Sequence, residues 1–165
     1  MRKKQKGFSL IELLIVVAII LIIAAIAIPN LLRARIAANE SSAVGSVRTI
    51  VTSEVTYSST WGTGFAVSID LLGGANPCTA AAATACLIDP VLAAGAKSGY
   101  TLAAPGGTAI NAIVPTFAVS AVPQKVGQTG QRAFCSDESG VVRFDTTGLI
   151  TAATDTACEA LPPLQ

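Results

Sequence analysis

The sequence predicts an α+β chain: one long N-terminal helix followed by a small antiparallel sheet. Three observations predict it. Residues 8–28 form an apolar run broken only by Ser9 and Glu12. Beyond Pro29, apolar residues recur three and four apart as far as Ser58, the spacing of one helical face. After Tyr100, short β-prone segments alternate with Gly, Pro and Asn turn signals.

The apolar run is twenty-one residues long. At about 1.5 Å per residue it makes roughly 31 Å of helix, enough to cross a hydrocarbon core. Further on, Leu32, Ile36, Val44, Val47, Val51 and Val55 form one stripe. Asn39, Ser42, Ser46, Thr49 and Ser53 sit mostly between them. The one strong breaker there, Gly45, costs only about 1 kcal/mol relative to alanine. The reading is a single helix over residues 8–58, kinked near Pro29. Its first half is apolar all round and must be buried in lipid or among other helices. Its second half has one apolar face and must lay it on a domain. Residues 59–165 supply that globular head.

Within the head, residues 61–99 are rich in Gly, Ala, Thr and Ser and read as a long surface excursion. Strands are expected at residues 100–103 and at 113–122, ending at Pro123. Residues 131–135 and 141–145 are expected to form a hairpin across 136–140. Tyr57, Trp61 and Phe65, four residues apart, read as core packing under the head rather than as a stacking platform.

Composition excludes several functions. Of 165 residues, 52% are apolar and 13% charged, which rules out a disordered chain. There is no histidine, so Ser and Cys nucleophiles lack their commonest base. Gly62-Thr63-Gly64 has neither the spacing nor the lysine of a phosphate-binding loop. No enzyme activity and no cofactor are expected. No metal is expected either: there is no C-x-x-C, and Asp137-Glu138 reads as a solvated turn. A net charge of +1 gives no reason to expect specific nucleic-acid binding. The sequon Asn39-Glu40-Ser41 lies on the predicted helix and is read as accidental.

Charge is concentrated at the start. Arg2, Lys3, Lys4 and Lys6 are four of the eleven basic residues. A basic leader before an apolar run admits three readings. It is a secretory signal cut after Ala27, a plain membrane anchor, or a leader cut before the apolar segment so that the segment is retained. Glu12 favours the third. A carboxylate in a membrane span costs a few kcal/mol unless partnered, and no Lys or Arg lies within residues 8–28. Cleavage after Gly7 creates an α-amino group on Phe8, four residues before Glu12. The bland readings are a snorkelling glutamate and, for Pro29, an ordinary helix terminator.

Gly7-Phe8-Ser9-Leu10-Ile11-Glu12, with the apolar run and Ile28-Pro29-Asn30, resembles the prepilin signature of type IV pilins and the related pseudopilins of type II secretion. The resemblance implies a pilin-like fold, with the second half of the helix packed on the sheet. It implies cleavage after Gly7 and N-methylation of Phe8 by a prepilin peptidase. Glu12 would then meet the Phe8 amine of an adjacent subunit during assembly, and Pro29 would loosen the helix. Leu21 stands where many members of the family have a glycine. The implied partners are the membrane, the assembly platform and further copies of the chain in a helical filament. The implied route runs from the bacterial inner membrane to the cell surface. Without its leader the chain would carry a side-chain charge of −3. A pseudopilin of type II secretion, and a secreted binding module with an ordinary signal peptide, stand as alternatives.

Cys78, Cys86, Cys135 and Cys158 suggest two disulfides in an exported chain. Three connectivities are open. Cys78–Cys86 with Cys135–Cys158 joins sequence neighbours and makes the least topological demand.

Overall fold

The computed structural model describes residues 7–150 and 155–164. Residues 1–6, most of the expected leader, lie outside the described residues. The chain divides into two compact units, Met1–Arg35 and Ile36–Gln165.

Helix α1, Leu10–Trp61, begins in the first unit and ends in the second. It continues through Pro29, although proline has no N–H to give the carbonyl one turn back. Its first-unit side chains are exposed, Ala24 alone being half-exposed. By length and composition this helix can cross a membrane.

The second unit holds a five-stranded sheet, β1 Ala96–Lys97, β2 Tyr100–Ala103, β3 Ala118–Pro123, β4 Ala133–Asp137 and β5 Arg143–Asp145. The strands are antiparallel in sequential order. Three short helices complete it: α2 Ile69–Leu72, α3 Pro90–Ala93 and α4 Asp155–Glu159. Pro90 at the start of α3, with Asp89 accepting the Leu92 N–H, is a good local start signal. The core joins Ala43, Val47, Ile50 and Tyr57 of α1 to Tyr100, Leu102, Val119 and Phe134 of the sheet.

The structure corrects the expected face of the helix. Ser46 and Ser53 are buried, whereas Val55 is 53% exposed. Ser53 is accommodated by donating its hydroxyl to the Thr49 carbonyl, a bond any helical serine can make without leaving the helix. The buried face also carries two carboxylates, Glu40 and Glu54.

The excursion at residues 61–99 is also corrected. Ala66, Leu72, Ala85, Ile88 and Leu92 are core residues. They are held there by backbone bonds such as Ala85 N–H to Leu71 O and Leu87 N–H to Leu72 O. A Gly- and Ala-rich segment can pack closely because it has little side chain to exclude. The strand expected at 113–122 is shorter. Only Ala118–Pro123 pairs in the sheet, while residues 106–117 form a separate ribbon with bridges Gly106↔Phe117 and Ile110↔Ile113. The turn between β4 and β5 begins later than expected, because β4 runs to Asp137.

Every residue of β4 is buried. The reason is cover on both faces. Phe134 lies with Ala37 and Val44 of α1, while Cys135 is bonded to Cys158 of α4. Asp137 is consequently buried rather than solvated, and takes the Ser139 N–H and hydroxyl.

Candidate assembly site

The first unit offers a helix of exposed apolar side chains with a single acid near its start. Ser9 immediately precedes α1 and Glu12 is the third helical residue. Glu12 Oε2 accepts the Ser9 backbone N–H at 2.9 Å. This is one half of a capping box, in which a glutamate at the third position satisfies an amide that the helix cannot. Sequence reasoning sought a positive charge to partner Glu12, the Phe8 amine of its own or an adjacent chain, and missed this backbone neighbour. The signal was present as Ser9-x-x-Glu12 directly before an apolar run. Among the described residues, Glu12 Oε1 accepts no hydrogen bond. Phe8 is 75% exposed, and among the described residues no hydrogen bond or ion pair joins it to Glu12.

Gly7 and Phe8 precede the helix outside any regular element. A Cβ added at Gly7 would meet nothing within 4 Å, so crowding by the rest of the chain does not explain a glycine there.

In the second unit, α1 is fastened at two points. Glu40 Oε1 accepts the backbone N–H groups of Gln131 and Arg132, and Oε2 accepts Arg132 Nε and Nη2 at 3.0 and 2.7 Å. Burial pushes the Glu40 carboxyl up, but these donors outweigh it and hold it below the ordinary carboxylate range. Beside it, Asn39 donates its side-chain amide to Thr129 O, so the sequon asparagine is engaged in packing. Fourteen residues further along, Glu54 accepts the Ala66 N–H at 2.8 Å. Its other oxygen is buried with no hydrogen-bond partner among the described residues. Burial drives this carboxyl up to about 7, the single Ala66 bond offsetting only part of the effect. Helical spacing marked both positions. Glu40 lies four residues after Ile36 and three before Ala43, and Glu54 lies four after Ile50, all on one face.

The four cysteines form two disulfides, Cys78–Cys86 and Cys135–Cys158, with Cα separations of 6.0 and 5.9 Å. Tyr57 packs on Trp61 with tilted rings whose centroids are 4.9 Å apart, and Phe65 likewise on Phe117 at 4.6 Å. Among the described residues there is no cluster of three or more His, Cys, Asp or Glu that could hold a metal ion.

A long exposed apolar helix with an acid at its start, followed by an α+β unit, is an arrangement that fits membrane anchoring. Comparison with known proteins narrows it. Residues 2–28 match the family described as the prokaryotic N-terminal methylation motif. The chain is 64% identical over 39 residues to the type IV wide pilus major component PilA4 of Thermus thermophilus. It is 43% identical over 54 residues to the type IV major pilin protein PilA of Myxococcus xanthus. These matches cover 24% and 33% of this chain, and 30% and 24% of the relatives' own lengths. No solved structure matches. The motif and the two relatives support a type IV pilin.

Proposed function

We propose that this chain is a structural subunit of a type IV pilus. It is inserted in the inner membrane as a prepilin, cut after Gly7 and N-methylated on Phe8. It is then assembled through residues 8–28 into a surface filament. The observation that supports this most is the methylation-motif segment carried on a helix whose apolar side chains are exposed among the described residues.

The physical logic is a change of solvent. In a bilayer, lipid tails satisfy the apolar helix, and helix association there gains no hydrophobic free energy. Outside the membrane the same side chains would face water. Each Leu or Ile side chain then contributes about 2 kcal/mol to staying buried among its neighbours. The extruded filament is thus held by what the membrane no longer supplies. Glu12 sets the register. Its Oε2 stays on the Ser9 N–H, an amide that cleavage after Gly7 leaves intact, while Oε1 takes the methylated Phe8 amine of the adjacent copy. The membrane, a prepilin peptidase and an assembly platform are the partners this requires. Interfaces rather than catalysis are the contribution of this chain.

Intact and N-terminal mass spectrometry tests the reading on material sheared from cells, set against the membrane fraction. Methyl-Phe8 in abundant sheared filaments is the expected result. Methyl-Phe8 confined to the membrane fraction would point instead to a pseudopilin of type II secretion. A mature terminus at Ile28, as in a secreted binding module, or an uncut Met1, would overturn the proposal.

A further inference from the structure

The sheet of the second unit has two edges, and each is closed by a different means. At one edge β1 is only two residues long, and its Lys97 side chain pairs with Asp89 at 3.6 Å. A strand that short, with a charge on it, offers little to a further strand.

At the other edge, the outer side of β5 is taken by residues 161–164. Phe144 N–H donates to Pro162 O at 3.1 Å, and Leu164 N–H to Val142 O at 2.8 Å. Arg143 and Pro163 face each other between those two bonds in antiparallel sense. Arg143 Nη1 adds a bond to Leu161 O at 2.9 Å, and the Leu164 side chain packs against the core. The segment is thus laid along β5 as a short further strand.

The two prolines decide what this new edge can do. In an antiparallel pair, residues flanked by hydrogen bonds rather than joined by them turn their own backbone groups away from each other. Arg143 turns its groups toward Cys135 of β4. Pro163 therefore turns its backbone outward, and proline has no N–H to offer there. Pro162 is placed the other way, with its carbonyl on the Phe144 N–H. Both prolines are exposed. Among the described residues no strand or bridge pairs with the outer side of the segment. An unpaired edge is ordinarily a template for another chain, and proline is tolerated in a sheet where its missing N–H would face solvent.

We propose that residues 161–164 act as a guard strap: they cover the β5 edge, and Pro163 blanks the edge they create, so that second units of neighbouring copies cannot join their sheets. Copies held side by side then meet through side chains. Without the strap, the Phe144 N–H would be open to a strand of another copy, and the sheet of one unit could continue into the next. The inference stands whether or not the chain forms filaments, so its failure would leave that reading untouched.

The test compares single substitutions in the full chain, solubilised in detergent and followed by analytical ultracentrifugation. Pro163→Val supplies an outward N–H. It should raise the association constant between copies roughly tenfold, the scale of two added backbone hydrogen bonds at a two-fold contact. The infrared amide I band of intermolecular sheet should grow with it. Pro163→Ala, which adds the donor with a smaller side chain, should show the same rise. Pro162→Val adds the same side chain one residue earlier but turns its N–H toward Phe144 O, and should leave association unchanged. Circular dichroism and an intact Cys135–Cys158 bond establish that each variant is folded. Folded Pro163 variants that stay as dispersed as the unsubstituted chain overturn the guard. Equal association of Pro162→Val and Pro163→Val also overturns it, since exposed side-chain surface rather than an outward donor would then be the cause.

Discussion

Glu40 and Arg132, ninety-two residues apart, are joined by a carboxylate that accepts from the guanidinium Nε and Nη2 and from two successive backbone amides. The guanidinium also lies 5.5 Å from the ring centroids of Phe134 and Phe144. One side chain of α1 thereby fixes the entry to β4 and, through Arg132, the position of β5.

Glu40→Ala is expected to destabilise the second unit by about 2–4 kcal/mol, because it leaves a half-buried guanidinium and two amides without their acceptor. Urea denaturation monitored by tryptophan fluorescence measures it. A change below about 0.5 kcal/mol would show that the contact is incidental.

The two glutamates of the buried helix face give opposite pH dependence. Glu40 has a lowered pKa when folded. It adds stability above the unfolded value near 4.5, and that contribution is lost as pH falls through the folded value. Glu54 has a raised one, about 7 against 4.5. Between those two values the unfolded chain ionises first, so stability falls as pH rises, by at most about 3 kcal/mol, and is level above 7. Stability should therefore be greatest near pH 4.5–5. Glu54→Gln should abolish the decline between pH 5 and 7, which denaturation at a series of pH values would detect. An unchanged slope would mean that some other group titrates there.

The disulfides should differ in access. Cys135 and Cys158 are buried, whereas Cys78 is exposed. Thiol attack needs a reachable sulfur. Mild dithiothreitol should therefore reduce Cys78–Cys86 first, as read by alkylation and mass spectrometry. Removing Cys135–Cys158, with its 23-residue separation, should cost about 3 kcal/mol on the chain-entropy account.

Glu12 can be dissected by two substitutions. Glu12→Gln keeps an oxygen for the Ser9 N–H but removes the charge, and Glu12→Ala removes both. If the charge sets register during assembly, both should abolish or misregister filaments while the second unit stays folded. Filaments of normal number and length from Glu12→Gln would reduce Glu12 to a helix cap. Electron microscopy of sheared material distinguishes these results.

Much of the chain was legible locally. Residues 8–28 announce an apolar helix because hydropathy and period are properties of adjacent residues. The strand at Tyr100–Ala103 was legible for the same reason, being bounded by Gly99 and Pro105. The Ser9–Glu12 cap was equally local, yet it was overlooked because a carboxylate in an apolar run directs attention to cations.

The long helix, the one acid of its apolar run, Glu12, and the prepilin-like signature around them were legible in the chain read alone, since each depends only on residues within a few turns. Tertiary structure alone decided which face of α1 is buried, so that Ser46, Ser53 and Glu54 go inside and Val55 stays out. It also decided that β4 is covered on both faces, that Glu40 finds Arg132, and that Ile110 and Ile113 are left facing solvent. Each of those outcomes depends on which distant segment covers a surface. A chain read in order carries periodicity, but burial is settled only when remote parts of it meet.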